Sequence, residues 1–226
     1  MDWHLVSYAD ENFAEQQKFL HQTHKQGFIH HPYTRKQLET TQFYKDNKKI
    51  LDSPTGAGWW IWKPYYILET LKSANTGDYI IYCDCGDMFS PGLPDFVEET
   101  LDEDDLSLLL LGNNINGQYT KRDCFIKMGC DDSDYHESNQ LEAGFMIWRV
   151  REDSIKIVEE WLQYCTDIDL INNAPSTLAE ELNTFKEHRN DQSVLTNLAI
   201  RDGLSVGGQD YRNYIECDYD YWYERG

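Results

Sequence analysis

The chain lacks long hydrophobic runs, is poor in basic residues and contains no C-x-x-C pair. No stretch approaches 18 consecutive apolar residues, so no membrane span is expected. Lys and Arg number 20 against 40 Asp and Glu, a formal net charge of −20. Nucleic acid demands a basic footprint that neutralises phosphates, and an anionic membrane surface demands the same, so neither is an expected partner. The N-terminal "MDWHLVSYAD" has no basic lead ahead of an apolar segment. No signal peptide is read there, and a cytoplasmic location is the expectation, the host cytoplasm if the source is viral. The spacings of Cys83, Cys85, Cys124, Cys130, Cys165 and Cys217 favour reduced thiols over a zinc site.

What is present is enough for one sizeable core: 226 residues, 40% of them hydrophobic, with a single domain over 1–226 as the simplest organisation. Seven Trp and fifteen Tyr argue against a disordered chain. "WHLVSY" reads as a first strand, and Asp10 as the cap of a helix carrying Phe13, Phe19 and Leu20. "GFIHH" reads as a second strand. Thr34 and Gln37 form a capping box opening a charged helix towards Ile50. After the loop "DSPTGAG", Pro64 suits the first turn of a helix in which Tyr65, Leu68 and Leu71 recur at helical spacing. "YIIY", "LSLLLL" and "AGFMIW" are buried strands, and "LSV" a short last one. Between them "NNINGQ" reads as a turn and Cys130–Gln140 as a polar loop. "PDFVEETLDEDD", "YTKRDCFIKMG", "REDSIKIVEEWLQYC" and "DQSVLTNLAIRDG" are helical, the last closed by Gly203. The tail from Gln209 has no clear period. Alternating helices and continuously apolar strands predict an α/β fold with a mostly parallel sheet flanked by helices.

In such sheets ligands bind beyond the carboxyl ends of the strands. The stretch "DYIIYCDCGDMFSPG" ends an apolar run in Asp84-Cys85-Gly86-Asp87 at such an end. Two readings fit it: an acidic surface turn, or a site where Asp84 and Asp87 hold Mn²⁺ or Mg²⁺ through oxygen ligands. Gly86 allows a sharp turn and close approach of a ligand. A divalent cation reconciles a chain of charge −20 with an anionic ligand.

Several segments, in order over residues 3–206, resemble nucleotide-sugar-dependent glycosyltransferases of the GT-A fold. "WHLVSYAD" is similar to their first strand and nucleotide-contacting loop. "GWWIWKPYYILETLK" followed by "GDYIIYCDCGD" resembles a group of bacterial and viral transferases with Trp-x-Trp-Lys-Pro before Tyr-x-Asp-x-Gly. "LEAGFMIWR" and "HRNDQSVLTNLA" resemble glycosyltransferase family 8. The sequence departs from family 8 in two places. Gly86 stands where that family has a second Asp, with Asp87 one position later, and the C-terminal His ligand segment is missing.

The resemblance implies a transferase that moves a sugar from a nucleotide diphosphate sugar, UDP by analogy, to a hydroxyl acceptor such as a glycan, with anomeric retention. It implies nucleotide contacts at Ser7, Tyr8 and Ala9, and roles near the reacting sugar for Asp191 and Gln192. Glu142 is a candidate for the sugar or acceptor side. Lys63 and Arg189 are candidates to add positive charge at the departing diphosphate. No matching segment supplies a third metal ligand; His188 is a candidate that geometry must decide. Each residue also has an ordinary reading: Lys63 a solvated helix-start lysine, Arg189 a surface ion pair, Asp191 a helix cap, the cluster Trp59, Trp60 and Trp62 a piece of core rather than a sugar platform. Two rival functions stay open, an inactive sugar-nucleotide-binding or scaffold domain and a sugar-nucleotide pyrophosphorylase. The pyrophosphorylase would need a glycine-rich basic loop after the first strand, which "SYADENF" is not.

Overall fold

The structure is a computed structural model that describes residues 1–217; residues 218–226, the end of the aperiodic tail, lie outside the described residues. Its centre is a six-stranded sheet ordered β2-β1-β3-β6-β5-β7. The strands are β1 (Trp3–Ala9), β2 (Ile29–Thr34), β3 (Tyr79–Cys83), β5 (Ser107–Ile115), β6 (Asn139–Arg149) and β7 (Val206–Gly207). β1 lies parallel to β2 and β3, and β5 parallel to β7, while β6 runs antiparallel to both β3 and β5. A separate two-stranded sheet pairs β4 (Asp87–Phe89) antiparallel with β8 (Ile215–Cys217). The architecture is α/β, with a mostly parallel central sheet flanked by helices.

Every residue of β1 and β3 is buried, as expected of strands covered on both faces. Side chains alternate between the two cores. Along β3, Ile80 and Tyr82 join the core that contains Leu68, Leu71, Val158, Trp161 and Leu198. Tyr79, Ile81 and Cys83 join the opposite core, with Leu20, Leu93 and Val97. The helices Trp62–Ser73, Glu152–Cys165 and Asn190–Asp202 therefore share one face of the sheet. Ala14–Thr23 and Leu93–Thr100 contribute to the other. β2 carries Pro32, tolerated because an edge strand leaves one row of backbone donors unpaired. Cys85, Cys124, Cys130 and Cys165 are free and buried, and Cys83 is buried. Among the described residues no helix is long and apolar enough to cross a membrane.

The Thr34–Gln37 capping box forms, but the helix it opens stops after Leu38. Two further short helices follow, Gln42–Asp46 and Lys48–Leu51. The Thr40 and Thr41 hydroxyls donate to the carbonyls of Gln37 and Leu38, and Thr41 Oγ1 then accepts from the N–H of Tyr44, restarting the helix. Residues 113–115, expected in a turn, extend β5. Asn116 begins a short helix instead, its amide buried and donating to Asn197 Oδ1 and the Tyr135 carbonyl. The polar loop expected over 130–140 contains a helical turn, Ser133–His136, capped by Asp132, and its last residues start β6. Beyond "LSV", residues 209–217 form a short helix and β8.

Five histidines gather where β1, β2 and the Ala14–Thr23 helix meet. His4 Nδ1 lies 2.9 Å from His31 Nε2, His21 Nδ1 2.7 Å from His30 Nδ1, and His21 Nε2 2.8 Å from Ser7 Oγ. His24 stacks on Phe89 with ring centroids 3.7 Å apart. Burial, and then the neighbouring imidazoles, lower the pKa of His21, His24 and His31 to about 4. The unfolded chain takes up these protons near pH 6.5, whereas the folded rings stay neutral until about pH 4. The stability they contribute is therefore complete above pH 6.5 and is lost as pH falls towards 4. The expected outcome is a urea midpoint that falls between pH 7 and pH 5, above the ordinary carboxylate range; an unchanged midpoint across that interval would contradict it.

Candidate active site

β3 ends at Cys83 and delivers Asp84 beyond the sheet. The Asp84 N–H donates to the carbonyl of Gly144 on β6 at 2.8 Å, and the Asp87 N–H to the Asp84 carbonyl at 3.0 Å, closing a tight turn. The Cys85 thiol donates to the Tyr8 carbonyl at 3.2 Å, tying the ends of β1 and β3 together. Burial pushes that thiol up to about 12, so it stays protonated and able to donate. A Cβ on Gly86 would meet nothing within 4 Å, so the turn borders open space.

The two carboxylates converge over Gly144. A Cβ there would lie 3.0 Å from Asp87 Oδ2 and 3.2 Å from Asp84 Oδ2. Glycine leaves the two carboxylate oxygens over bare backbone, a donor set of the oxygen type that hard divalent cations take. The other Asp84 oxygen, Oδ1, accepts from the Tyr82 hydroxyl and lies 3.6 Å from Lys63 Nζ. The Asp84 side chain remains 40% exposed while that of Lys63 is 4% exposed, so the carboxylate reaches solvent and the ammonium stands behind it.

Lys63 Nζ donates to the Ala143 carbonyl at 2.8 Å and lies 3.7 Å from Asp191 Oδ2, with the Tyr82 ring centroid at 5.0 Å. Burial works against its charge, but Asp84 and Asp191 prevail and hold its pKa above the ordinary lysine value. Asp191 is equally enclosed. Burial raises its carboxyl to about 6 against the pull of Lys63, and Oδ2 has no hydrogen-bond partner. Its backbone carbonyl accepts from Trp161 Nε1 at 2.9 Å.

Strained backbone flanks the cluster on both sides. Gly56, Ala57, Gly58, Trp59 and Trp60 all have positive φ, leading directly into the helix that carries Lys63. Asn190, next to Asp191, has φ +47°. A left-handed non-glycine residue costs ~1–2 kcal/mol, and such strain concentrates at functional sites. The 56–60 turn is held by packing. The Trp60 ring occupies the place of a Gly56 Cβ, at 2.3 Å from where it would lie, and Trp62 Nε1 donates to the Gly56 carbonyl. Trp62 is buried, and Trp59 and Trp60 half-buried against the same core.

The structure thus brings together Asp84, Asp87, Gly86, Lys63 and Asp191 from segments distant in sequence. Gln192 is adjacent, with its amide engaged: Oε1 accepts from the Ala143 N–H at 3.2 Å and Nε2 donates to Gln140 Oε1 at 2.9 Å. Glu142 is held by Arg212 at 2.8 and 3.1 Å. At the end of β1, Ala9 is buried and Ser7 Oγ accepts from Gln17 Nε2. The Tyr8 ring is covered by Trp62 at a centroid distance of 3.9 Å, so that face is closed to a nucleobase. Two predicted residues are engaged elsewhere. Arg189 lies over the Tyr119 ring and pairs with Glu187 at 3.3 Å. His188 is buried, with Nδ1 accepting from the Lys121 N–H and Nε2 donating to the Leu170 carbonyl, so neither nitrogen is available to a metal. Burial, then the Lys121 charge, lowers its pKa to about 3. Among the described residues no three His, Cys, Asp or Glu side chains form a ligand set, leaving two protein carboxylates.

Sequence reasoning missed Tyr82 and Gly144. The signal for Tyr82 was its position two residues before Asp84, which puts both side chains on one face of an extended chain. Gly144 carried no local signal, since its neighbours across the sheet are set by the β3–β6 register.

No family model matches the sequence, and no curated protein does. Solved structures of similar shape include a galactosyltransferase, LgtC, in complex with donor and acceptor sugar analogues. It is 14% identical, with 91% of this chain and 73% of that chain covered and a TM-score of 0.49. Mouse xyloside xylosyltransferase 1 is 9% identical, covering 92% and 84%, at a TM-score of 0.49. A glycosyltransferase involved in glycosylation of the major capsid of the virus PBCV-1 is 12% identical, covering 80% and 73%, at 0.42. With TM-scores under 0.5 these likenesses carry no functional argument, which rests on the site's own residues.

Replacing Lys63 by Met strands Asp191 as a buried carboxylate without its counter-charge. The expected loss is ~3–5 kcal/mol of stability, read from urea unfolding at pH 7.5. Adding Asp191→Asn to that variant should recover part of it, and a Lys63→Met protein of unchanged stability would contradict the pairing.

Proposed function

We propose that the protein is a metal-dependent glycosyltransferase. It moves a sugar from a nucleotide diphosphate sugar, a UDP-sugar by analogy, to a hydroxyl acceptor, a glycan, with retention of anomeric configuration. The observation that carries this reading is the meeting of Asp84 Oδ2 and Asp87 Oδ2 over the bare Cα of Gly144. Oxygen-only ligation favours Mn²⁺ or Mg²⁺. Behind these two oxygens Lys63 pairs with Asp84 and Asp191. Bound there, the cation would supply neutralisation of the diphosphate leaving group.

The chain's own residues divide the remaining work. Gly86 leaves open space for the diphosphate to approach. Ser7, Tyr8 and Ala9 form the β1 end where the nucleotide lies, through backbone rather than the covered Tyr8 ring. Asp191, which the resemblance sets near the reacting sugar, is enclosed and acts from behind through Lys63, which lies 3.7 Å from its Oδ2. Gln192, its amide held by the Ala143 N–H and Gln140, lines the side of the reacting sugar, and Glu142, oriented by Arg212, lies towards the acceptor. Arg189 and His188, engaged elsewhere, shape the surroundings of the Asp191 helix.

The test is nucleotide release across a panel of sugar nucleotides with Mn²⁺ and then with EDTA. Release that requires the metal, with an NMR-observed product of unchanged anomeric configuration, is the expected result. Metal-dependent nucleotide binding without turnover would instead identify a binding or scaffold domain. Sugar-nucleotide formation from a sugar phosphate would identify a pyrophosphorylase. Gly144→Ala should weaken metal-stimulated release, because a methyl 3.0 and 3.2 Å from the two carboxylate oxygens obliges both to give way by a few tenths of an ångström. Full metal-stimulated activity in that variant would argue against the site.

A further inference from the structure

A carboxylate's two oxygens are chemically equivalent, and rotation about its terminal torsion exchanges them at little cost. Asp84 is not held in this symmetric way. The Tyr82 hydroxyl donates to Oδ1, and Lys63 Nζ stands 3.6 Å from the same oxygen. Neither group addresses Oδ2, which faces Gly144 beside Asp87 Oδ2. We propose that Tyr82 and Lys63 are positioning residues that pin Asp84 Oδ1 from behind, so that Oδ2 is presented to a divalent cation. This rests on the metal-dependent reading given above.

Three observations support the assignment. Tyr82 is 1% exposed, so its hydroxyl cannot turn to water instead. The same tyrosine ring lies 5.0 Å below the Lys63 ammonium, so one side chain both donates to Asp84 and supports the second positioning group. Lys63 Nζ also donates to the Ala143 carbonyl at 2.8 Å, beside the glycine that floors the site. The ammonium therefore registers the β3 end, the Asp191 helix and the β6 backbone against one another. Neither residue reaches solvent. They act through Asp84, by lowering the ordering cost that binding would otherwise carry.

The experiment measures Mn²⁺ binding by electron paramagnetic resonance and nucleotide release as a function of Mn²⁺, for wild type and Tyr82→Phe. The phenyl ring keeps the packing and removes only the donor. The expected result is a 10–100-fold weaker Mn²⁺ affinity, the usual effect of removing an outer-shell partner. Release at saturating Mn²⁺ should return towards wild type, a split that general destabilisation would not produce. A second variant, Lys63→Met with Asp191→Asn, removes the other positioning group without leaving a lone buried charge, and binding should weaken likewise. It serves as the sole test if Tyr82→Phe does not fold. Unchanged affinity in a folded variant, with wild type binding Mn²⁺, overturns the positioning role and leaves the metal-dependent reading standing. Loss of release that saturating Mn²⁺ cannot restore also overturns it. Absence of Mn²⁺ binding by wild type overturns the metal-dependent reading and the positioning role together.

Discussion

A single buried ammonium organises this molecule's carboxyl-end surface. Lys63 Nζ sits among Asp84, Asp191 and the Ala143 carbonyl, contributed by a strand end, a helix and a neighbouring strand. Removing a lysine from water costs several kcal/mol, and only close opposite charge with full hydrogen bonding offsets it. That demand fixes how closely the Trp62–Ser73 and Asn190–Asp202 helices approach the strand ends.

The layered fold was legible because its signals are local. Buried strands read as unbroken apolar runs, as in "YIIY" and "LSLLLL", and Gly203 closes its helix in the left-handed conformation expected of it. The Thr34–Gln37 box was equally visible. The length of the helix it opens was not, since Thr40 and Thr41 end it through side-chain bonds to backbone that helical spacing does not encode. Asp84 could be found because a carboxylate at the end of a buried strand is conspicuous. Lys63 was recognised as a candidate cation, but its direction was not, because most lysines reach water and this one is enclosed by residues 20 to 130 positions away. His188 and Arg189 illustrate the reverse: neighbours of Asp191 in sequence, they are turned aside by the helix that begins there.

Strain and compensation are distributed around the same place. The left-handed turn at 56–60 sets the start of the Lys63 helix, and Asn190 sets the start of the Asp191 helix, so each partner of the buried pair is introduced by an unfavourable backbone. Trp60 against Gly56, and Asn190 Nδ2 donating to the Ile171 carbonyl and Asn173 Oδ1, hold these conformations in place. Rigidity of this kind suits a site whose carboxylates must meet a ligand without rearranging.

The pairing of β4 with β8 places Asp87 opposite Cys217. One of the two outward carboxylates is therefore braced by a strand made some 130 residues after it. During synthesis from the N-terminus, Asp84 can be seated by β6 well before Asp87 acquires its bracing strand. A nascent chain thus has the strand that pairs beside Asp84 about 70 residues before the one that pairs with Asp87.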